Sequence, residues 1–409
     1  VFMASPVATL GSKFHFQWGI AQTKAMVTLA CIIVLFSSCK ELYKPKIDSP
    51  ETGYLVAEGY INSSRGLTVI KLSRTKKLSD GPSIINENGA KVSLEGDNNE
   101  NYLLREGVAG TYTSDTLTLN NTANYHIKIT TLNGHEYESE YVAIKYTPPI
   151  DSISWQMENG GVQLHINTHD PNNNTKYYRW QYDETWEIHS AYQQVLRYII
   201  DSITEEPIAV EYIDPVYHSY DSTIYRCWQT FNSSNIMLGT TDKLNSDRIY
   251  LPLTFIEHAS VKISVLYSVY LKQYALSEAA FKFYQQMKKN TEQLGSIFDA
   301  QPSELPTNIK CVTNPEEVII GYIDATQEQT KRIYIDNKEV PDWNYRHGCT
   351  VTVIDNQKDS IMRRGYTVTP VSPHTISMVG EIESFEACVP LCVDCKIRGT
   401  NVKPWFWPR

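Results

Sequence analysis

Tyr125-His126-Ile127-Lys128-Ile129-Thr130 alternates apolar and polar side chains at every step. Successive side chains of an extended chain point to opposite faces. Tyr125, Ile127 and Ile129 therefore line one side and His126, Lys128 and Thr130 the other, the pattern of a half-buried antiparallel strand. Comparable short runs precede it at 54–61, 68–72, 91–94 and 102–105. Turn formers separate them at Gly66, Asp80-Gly81-Pro82, Gly96-Asp97-Asn98-Asn99 and Asn133-Gly134. Short strands at this spacing predict a transthyretin- or Ig-like β-sandwich over 53–147, closed by Thr147-Pro148-Pro149.

The pattern continues beyond that boundary, so the fold class is mainly β, with a larger β-rich domain over 148–409. Val162, Leu164 and Ile166 alternate with Gln163, His165 and Asn167, and the apolar positions from Val261 to Leu271 predict one long scaffold strand. A helical insertion is expected near 277–294. Ser277 can cap it, Glu278 suits its positive end, and Ala280, Phe283, Tyr284 and Met287 fall at helical spacing as a packing stripe.

At the start of the chain the composition changes. Residues 1–38 hold Lys13 and Lys24 and no acid, although the chain as a whole has 46 acidic against 37 basic residues. The apolar run 25–36 is shorter than the ~20 residues that span a bilayer and suits the core of a signal peptide. It leads into Phe36-Ser37-Ser38-Cys39, which has the form of a lipobox: cleavage before Cys39 and acylation of its thiol. The expectation is a leader over 1–38, a lipidated Cys39 with a polar tether over 39–52, and attachment to a membrane through palmitate-type chains. A net charge of −9 argues against nucleic acid, whose phosphates require a basic face.

Six further cysteines follow the tether: Cys227, Cys311, Cys349, Cys388, Cys392 and Cys395. An even number in an exported protein is read as disulfides, with 15 possible connectivities. The alternative is a tetrahedral zinc site made by Cys388, Cys392 and Cys395 with Cys311 or Cys349. It lacks a second matched Cys-x-x-Cys pair. The reading therefore predicts no metal and no cofactor.

The chain has no phosphate loop, no Gly-x-Ser-x-Gly elbow and no His-Glu-x-x-His helix. Ser73-Arg74-Thr75-Lys76 matches Ser-x-x-Lys without its companion elements. His165 and His169, ~13 Å apart along one strand, cannot share an ion and read as solvent-facing. Asp170-Pro171-Asn172-Asn173-Asn174 begins like a calcium loop, but Thr175 and Gln181 stand where glycine and glutamate belong, so a hairpin turn is expected. The 27 tyrosines and 8 tryptophans are common strand residues and also interface anchors. Trp405, Phe406 and Trp407 are the interface candidates.

Three groups of segments carry a family resemblance. They are Leu55-Val56-Ala57-Glu58-Gly59-Tyr60-Ile61 with Ile70-Lys71-Leu72-Ser73-Arg74-Thr75; Val312-Thr313-Asn314-Pro315-Glu316-Glu317 with Gly321-Tyr322; and Cys392-Val393-Asp394-Cys395 running into Gly399-Thr400-Asn401-Val402-Lys403-Pro404. In this order the chain resembles domain-of-unknown-function family 4249, a family of Bacteroidetes outer-membrane lipoproteins. The resemblance implies a surface or outer-membrane location beside a TonB-dependent transporter. The expected role is a noncatalytic accessory or ligand-binding subunit of an uptake system. Adhesion, envelope scaffolding and a hydrolase with dispersed catalytic residues are the alternatives.

Overall fold

A computed structural model describes residues 53–64, 66–76, 81, 84–292, 305–364 and 367–408. The expected leader over 1–38 and the expected lipidated Cys39 and tether over 39–52 lie outside the described residues. The fold is mainly β.

The N-terminal body is a sheet folded over one core. Its strands run in the spatial order Ile309–Cys311, Glu136–Ser139, Asn124–Thr130, Lys91–Gly96, Asn101–Glu106, Thr111–Thr113, Val69–Arg74, Leu55–Asn62 and Ile320–Gly321. Alternate residues of distant strands meet inside: Leu55, Ala57, Ile70 and Leu72 share a core with Val92, Leu94, Tyr125, Ile127 and Ile129. The expected two-faced strand is therefore present, and its apolar face is fully buried.

This body does not end at residue 147. The strands Ile309–Cys311 and Ile320–Gly321, with Ala325–Thr326, return to flank it, pairing Cys311 with Tyr137, Gly321 with Ala57 and Ala325 with Ile61. The physical reason is edge protection, because Leu55–Asn62 and Glu136–Ser139 would otherwise present unpaired backbone groups. Close approach requires glycine. Gly321 has φ +147°, and a Cβ there would lie 2.2 Å from the Ala57 carbonyl oxygen.

Residues from 150 onward build a second sandwich. One layer is Ile150–Glu158, Gly161–His169 and Arg248–Glu257; the other has the order Arg226–Asn232, Tyr177–His189, Leu266–Ala275 and Gln329–Asp336. Val162, Leu164 and Ile166 of the first layer pack with Tyr178, Trp180, Val269 and Leu271 of the second. A smaller sheet of Thr352–Asp355, Ile382–Cys388 and Thr369–Ile376 closes the chain. It shares its core with the hairpin Leu196–Ile200 and Pro207–Tyr212.

Two expectations are corrected. The alternation from Val261 is broken: Val261–Ile263 is a 3-10 turn capped by Ser260, and the strand is Leu266–Ala275. The cause lies in a neighbour. Buried Glu184 needs compensation, and the turn delivers Lys262 Nζ to its two oxygens at 2.9 and 2.7 Å, while Tyr267 donates at 2.7 Å. His165 is not solvent-facing but buried, its ring stacked 4.6 Å from Tyr250, while His169 bonds Asp151 at 2.7 Å.

The loop after His169 is a turn in which the Asp170 carboxylate accepts from the amides of Asn172, Asn174 and Thr175. Burial would raise its pKa, and those amides outweigh it and lower it. The helix is Glu278–Glu292, here α1; Ser277 Oγ accepts from the Ala280 amide at 3.1 Å. Phe281, Phe283 and Tyr284 are buried against Tyr274 and Leu276, so the stripe is packing surface.

Candidate functional site

A cleft of about 860 Å³ bearing both aromatic and charged groups lies between the outer face of the first strands, α1 and the second sandwich. Strand periodicity decides what it displays. Leu55, Ala57 and Ile61 point inward, which turns Val56, Glu58 and Tyr60 toward the cleft. Tyr178 and Trp180 are buried, which presents Arg179 and Gln181. From α1 come Phe283, Tyr284, Met287 and Thr291, spaced along one face. Ile320 and Tyr322 close the rim. Among the described lining residues there is no histidine or cysteine.

Two features make the walls rigid. The Arg179 guanidinium sits between the rings of Tyr274 and Tyr284, 4.9 and 4.4 Å from their centroids. Tyr60 meets Tyr274 edge to face at 4.8 Å, and both phenols donate to Glu328 Oε2, at 2.5 and 3.0 Å. Burial, then the neighbouring phenol and Glu328, raise the Tyr60 pKa. Burial followed by Glu328 does the same for Tyr274. Both therefore stay protonated donors. The lining also carries Lys71 and Glu58, opposite one another in register, and Lys272, which pairs with Asp183 at 3.0 Å.

The six cysteines divide. Cys227, on the strand Arg226–Asn232, bonds Cys395 and ties the tail to the second sandwich, while Cys349, just before the strand Thr352–Asp355, bonds Cys392. This overturns a zinc cluster on Cys388, Cys392 and Cys395, because two of those sulfurs are spent. Cys311 and Cys388 are free and buried, so neither is a disulfide partner. Burial pushes the Cys388 thiol up to about 11.

The tail triplet also divides. Trp405 is 94% exposed, whereas Trp407 is 3% exposed and stands edge-on to Trp228 and Tyr334. Phe406 lies under the Arg332 guanidinium, 3.6 Å from the ring centroid. Trp407 is thus core and only Trp405 is free to meet a partner. Sequence reasoning missed the cleft, whose walls come from the outward positions of strands more than 100 residues apart. The local signals were an arginine flanked by Tyr178 and Trp180 and the helical stripe of Phe283, Tyr284 and Met287, read as packing alone.

Among the described residues the molecule is a mainly β protein of two layered β bodies, with one long helix and an open aromatic cleft. The chain belongs to the family described as Domain of unknown function (DUF4249), whose match covers residues 40–332. The cleft lies within that span, and the tail segment from Cys392 lies beyond it. No curated protein matches the chain. Among solved structures it is similar to the BSP domain of a biofilm associated protein, at 10% identity over 84% of this chain and 79% of that one, with a TM-score of 0.15. Similar too are CBD12 from CALX1.2, at 9% identity, 69% and 100% coverage and TM-score 0.16, and the B domain of a biofilm associated protein, at 9%, 72% and 91%, TM-score 0.17. Superpositions this loose assign neither architecture nor function.

Proposed function

We propose that this protein is a noncatalytic binding subunit, held at the outer membrane through acylated Cys39 and working beside a TonB-dependent transporter. The cleft is the observation that carries the binding role. Its volume lies within the ~300–1,000 Å³ usual for ligand sites. Its lining joins aromatic faces at Tyr60, Tyr284 and Tyr322 to hydrogen-bonding groups at Arg179, Gln181 and Asn235, the combination that holds polar ligands with apolar faces, such as sugars and peptides. Glu328, which accepts from the phenols of Tyr60 and Tyr274, serves to hold the wall. The lipobox supports the location, and a tethered partner gains effective concentration.

Affinity purification from gently solubilised outer membranes is the test. A transporter should co-purify in near-stoichiometric amount, and labelled palmitate should mark the wild type but not Cys39→Ala. Met287→Trp, which fills the cleft from α1, should abolish ligand retention while leaving the membrane anchor. Recovery of the protein alone, together with turnover of a glycan or peptide by the purified chain, would reverse the reading.

A further inference from the structure

Outside the cleft, the edge of the N-terminal sheet gathers a second set of chemistry-bearing side chains. Cys311 ends the strand that pairs with Glu136–Ser139, which sets its sulfur beside His135, the residue just before that strand. The chain then turns, with the Glu317 amide donating to the Asn314 carbonyl at 3.0 Å, and brings Glu317 back to the same point. Cys311 Sγ lies 4.0 Å from His135 Nδ1, and the same nitrogen lies 3.1 Å from Glu317 Oε2. The three ligand atoms all lie within 4.8 Å of one another.

Both contacts converge on one imidazole nitrogen. A nucleophilic triad would use opposite nitrogens of the ring, one toward the thiol and one toward the carboxylate. Convergence on a common point is instead what a metal ion requires. We infer that His135, Cys311 and Glu317 form a binding site for a divalent transition cation of the zinc class.

Three further features fit. Ligand atoms ~2.0–2.3 Å from zinc stand roughly 3.3–3.7 Å apart at a tetrahedral angle, so the sulfur would close by about half an ångström toward His135 and about one ångström toward Glu317, shifts within the reach of side-chain rotation. Glu317 is pre-oriented, because Tyr137 donates to its Oε1 at 2.7 Å and Arg74 at 3.2 Å, leaving Oε2 toward His135. Arg74 does not stand as an unbalanced charge beside the ion, since Glu87 meets it at 2.5 Å. The thiolate and imidazole select zinc or cobalt over calcium or magnesium. The His135 side chain is 37% exposed, which gives an entry path and leaves a fourth position to water or to an external ligand. Binding releases the Cys311 proton and moves the His135 proton to Nε2, freeing Nδ1.

The test uses the full chain, purified in mild detergent, stripped with chelator and titrated with Zn²⁺ or Co²⁺ alone. One equivalent should be retained, and the cobalt form should show thiolate-to-metal charge-transfer absorption in the near ultraviolet. Cys311→Ser should lose that band, and Cys388→Ser should keep it. His135→Ala alters a partly exposed side chain and should weaken binding more than ~100-fold, with far-ultraviolet dichroism and the metal-free melting point unchanged. It carries the test should Cys311→Ser fold poorly. Absence of a retained equivalent, survival of the band in Cys311→Ser, or undiminished affinity in His135→Ala would each overturn the assignment.

Discussion

Trp407 Nε1 donates to Glu187 Oε2 at 2.8 Å, joining the end of the chain to a strand residue 220 positions earlier. Arg226 and His189 reach the other oxygen of that carboxylate at 2.7 and 2.8 Å. The tail is therefore a structural plug, and its two tryptophans should behave differently. Trp407→Ala removes a buried ring and one of the carboxylate's donors, and should lower unfolding free energy by ~3–5 kcal/mol. Trp405→Ala, on an exposed side chain, should change it by less than about 0.5 kcal/mol. Urea denaturation followed by far-ultraviolet dichroism distinguishes the two.

The same carboxylate makes stability depend on acid. Burial alone would raise the Glu187 pKa, but hydrogen bonds from His189, Arg226 and Trp407 outweigh it and hold the value down to about 2, from an ordinary 4.5. A depressed folded-state pKa gives stability that is present above the unfolded value and lost as pH falls through the folded one. Unfolding free energy should therefore decline between about pH 4.5 and 2. In Glu187→Gln the decline should be shallower, by an amount on the order of 2 kcal/mol over that window. Asp170 and Glu317, whose pKa values are also lowered, keep it from vanishing. An identical slope in the variant would show that Glu187 is not the group responsible.

Much of the β architecture was legible because alternation reports burial directly: Tyr125, Ile127 and Ile129, and Val162, Leu164 and Ile166, are all inside. Ser277 and the stripe through Phe283 likewise announced α1. Val261–Ile263 misled because its apolar positions are compatible with a strand, and the demand that bends it comes from Glu184, 78 residues away. The strands at 309–311 and 320–326 are too short to show a period, so only their partners reveal them. The same distance hides the clustering of His135 with Cys311, and the disulfide pairings could not be chosen from spacing.

Those short strands give a sharp test. Gly321 combines φ +147° with an approach to Ala57 that leaves no room for a methyl group, so Gly321→Ala should cost ~1–3 kcal/mol through backbone strain and loss of the parallel pairing. Gly134, at φ +84°, has nothing within 4 Å of where a Cβ would stand. Gly134→Ala bears the conformational penalty alone and should cost less. Equal melting points for the two variants would mean that the returning strand contributes little to the N-terminal body.

The cysteines supply the last expectation. Among the six described cysteines, Cys227 with Cys395 and Cys349 with Cys392 are oxidised, while Cys311 and Cys388 keep their thiols. Of these six, alkylation in denaturant without reductant should therefore modify only Cys311 and Cys388, as read by peptide mass mapping, and prior reduction should expose the other four. The bridges should also differ in worth. Cys227 and Cys395 are 168 residues apart and Cys349 and Cys392 are 43 apart, so the first closes the longer loop of the unfolded chain. Chain entropy makes it more stabilising by ~1 kcal/mol, against a typical cost of ~2–5 kcal/mol for losing either. Paired serine replacement, Cys227→Ser with Cys395→Ser against Cys349→Ser with Cys392→Ser, should reproduce that ordering in urea midpoints. A reversed order would place the dominant effect in native packing, where Cys392 lies against Val371 and Val393.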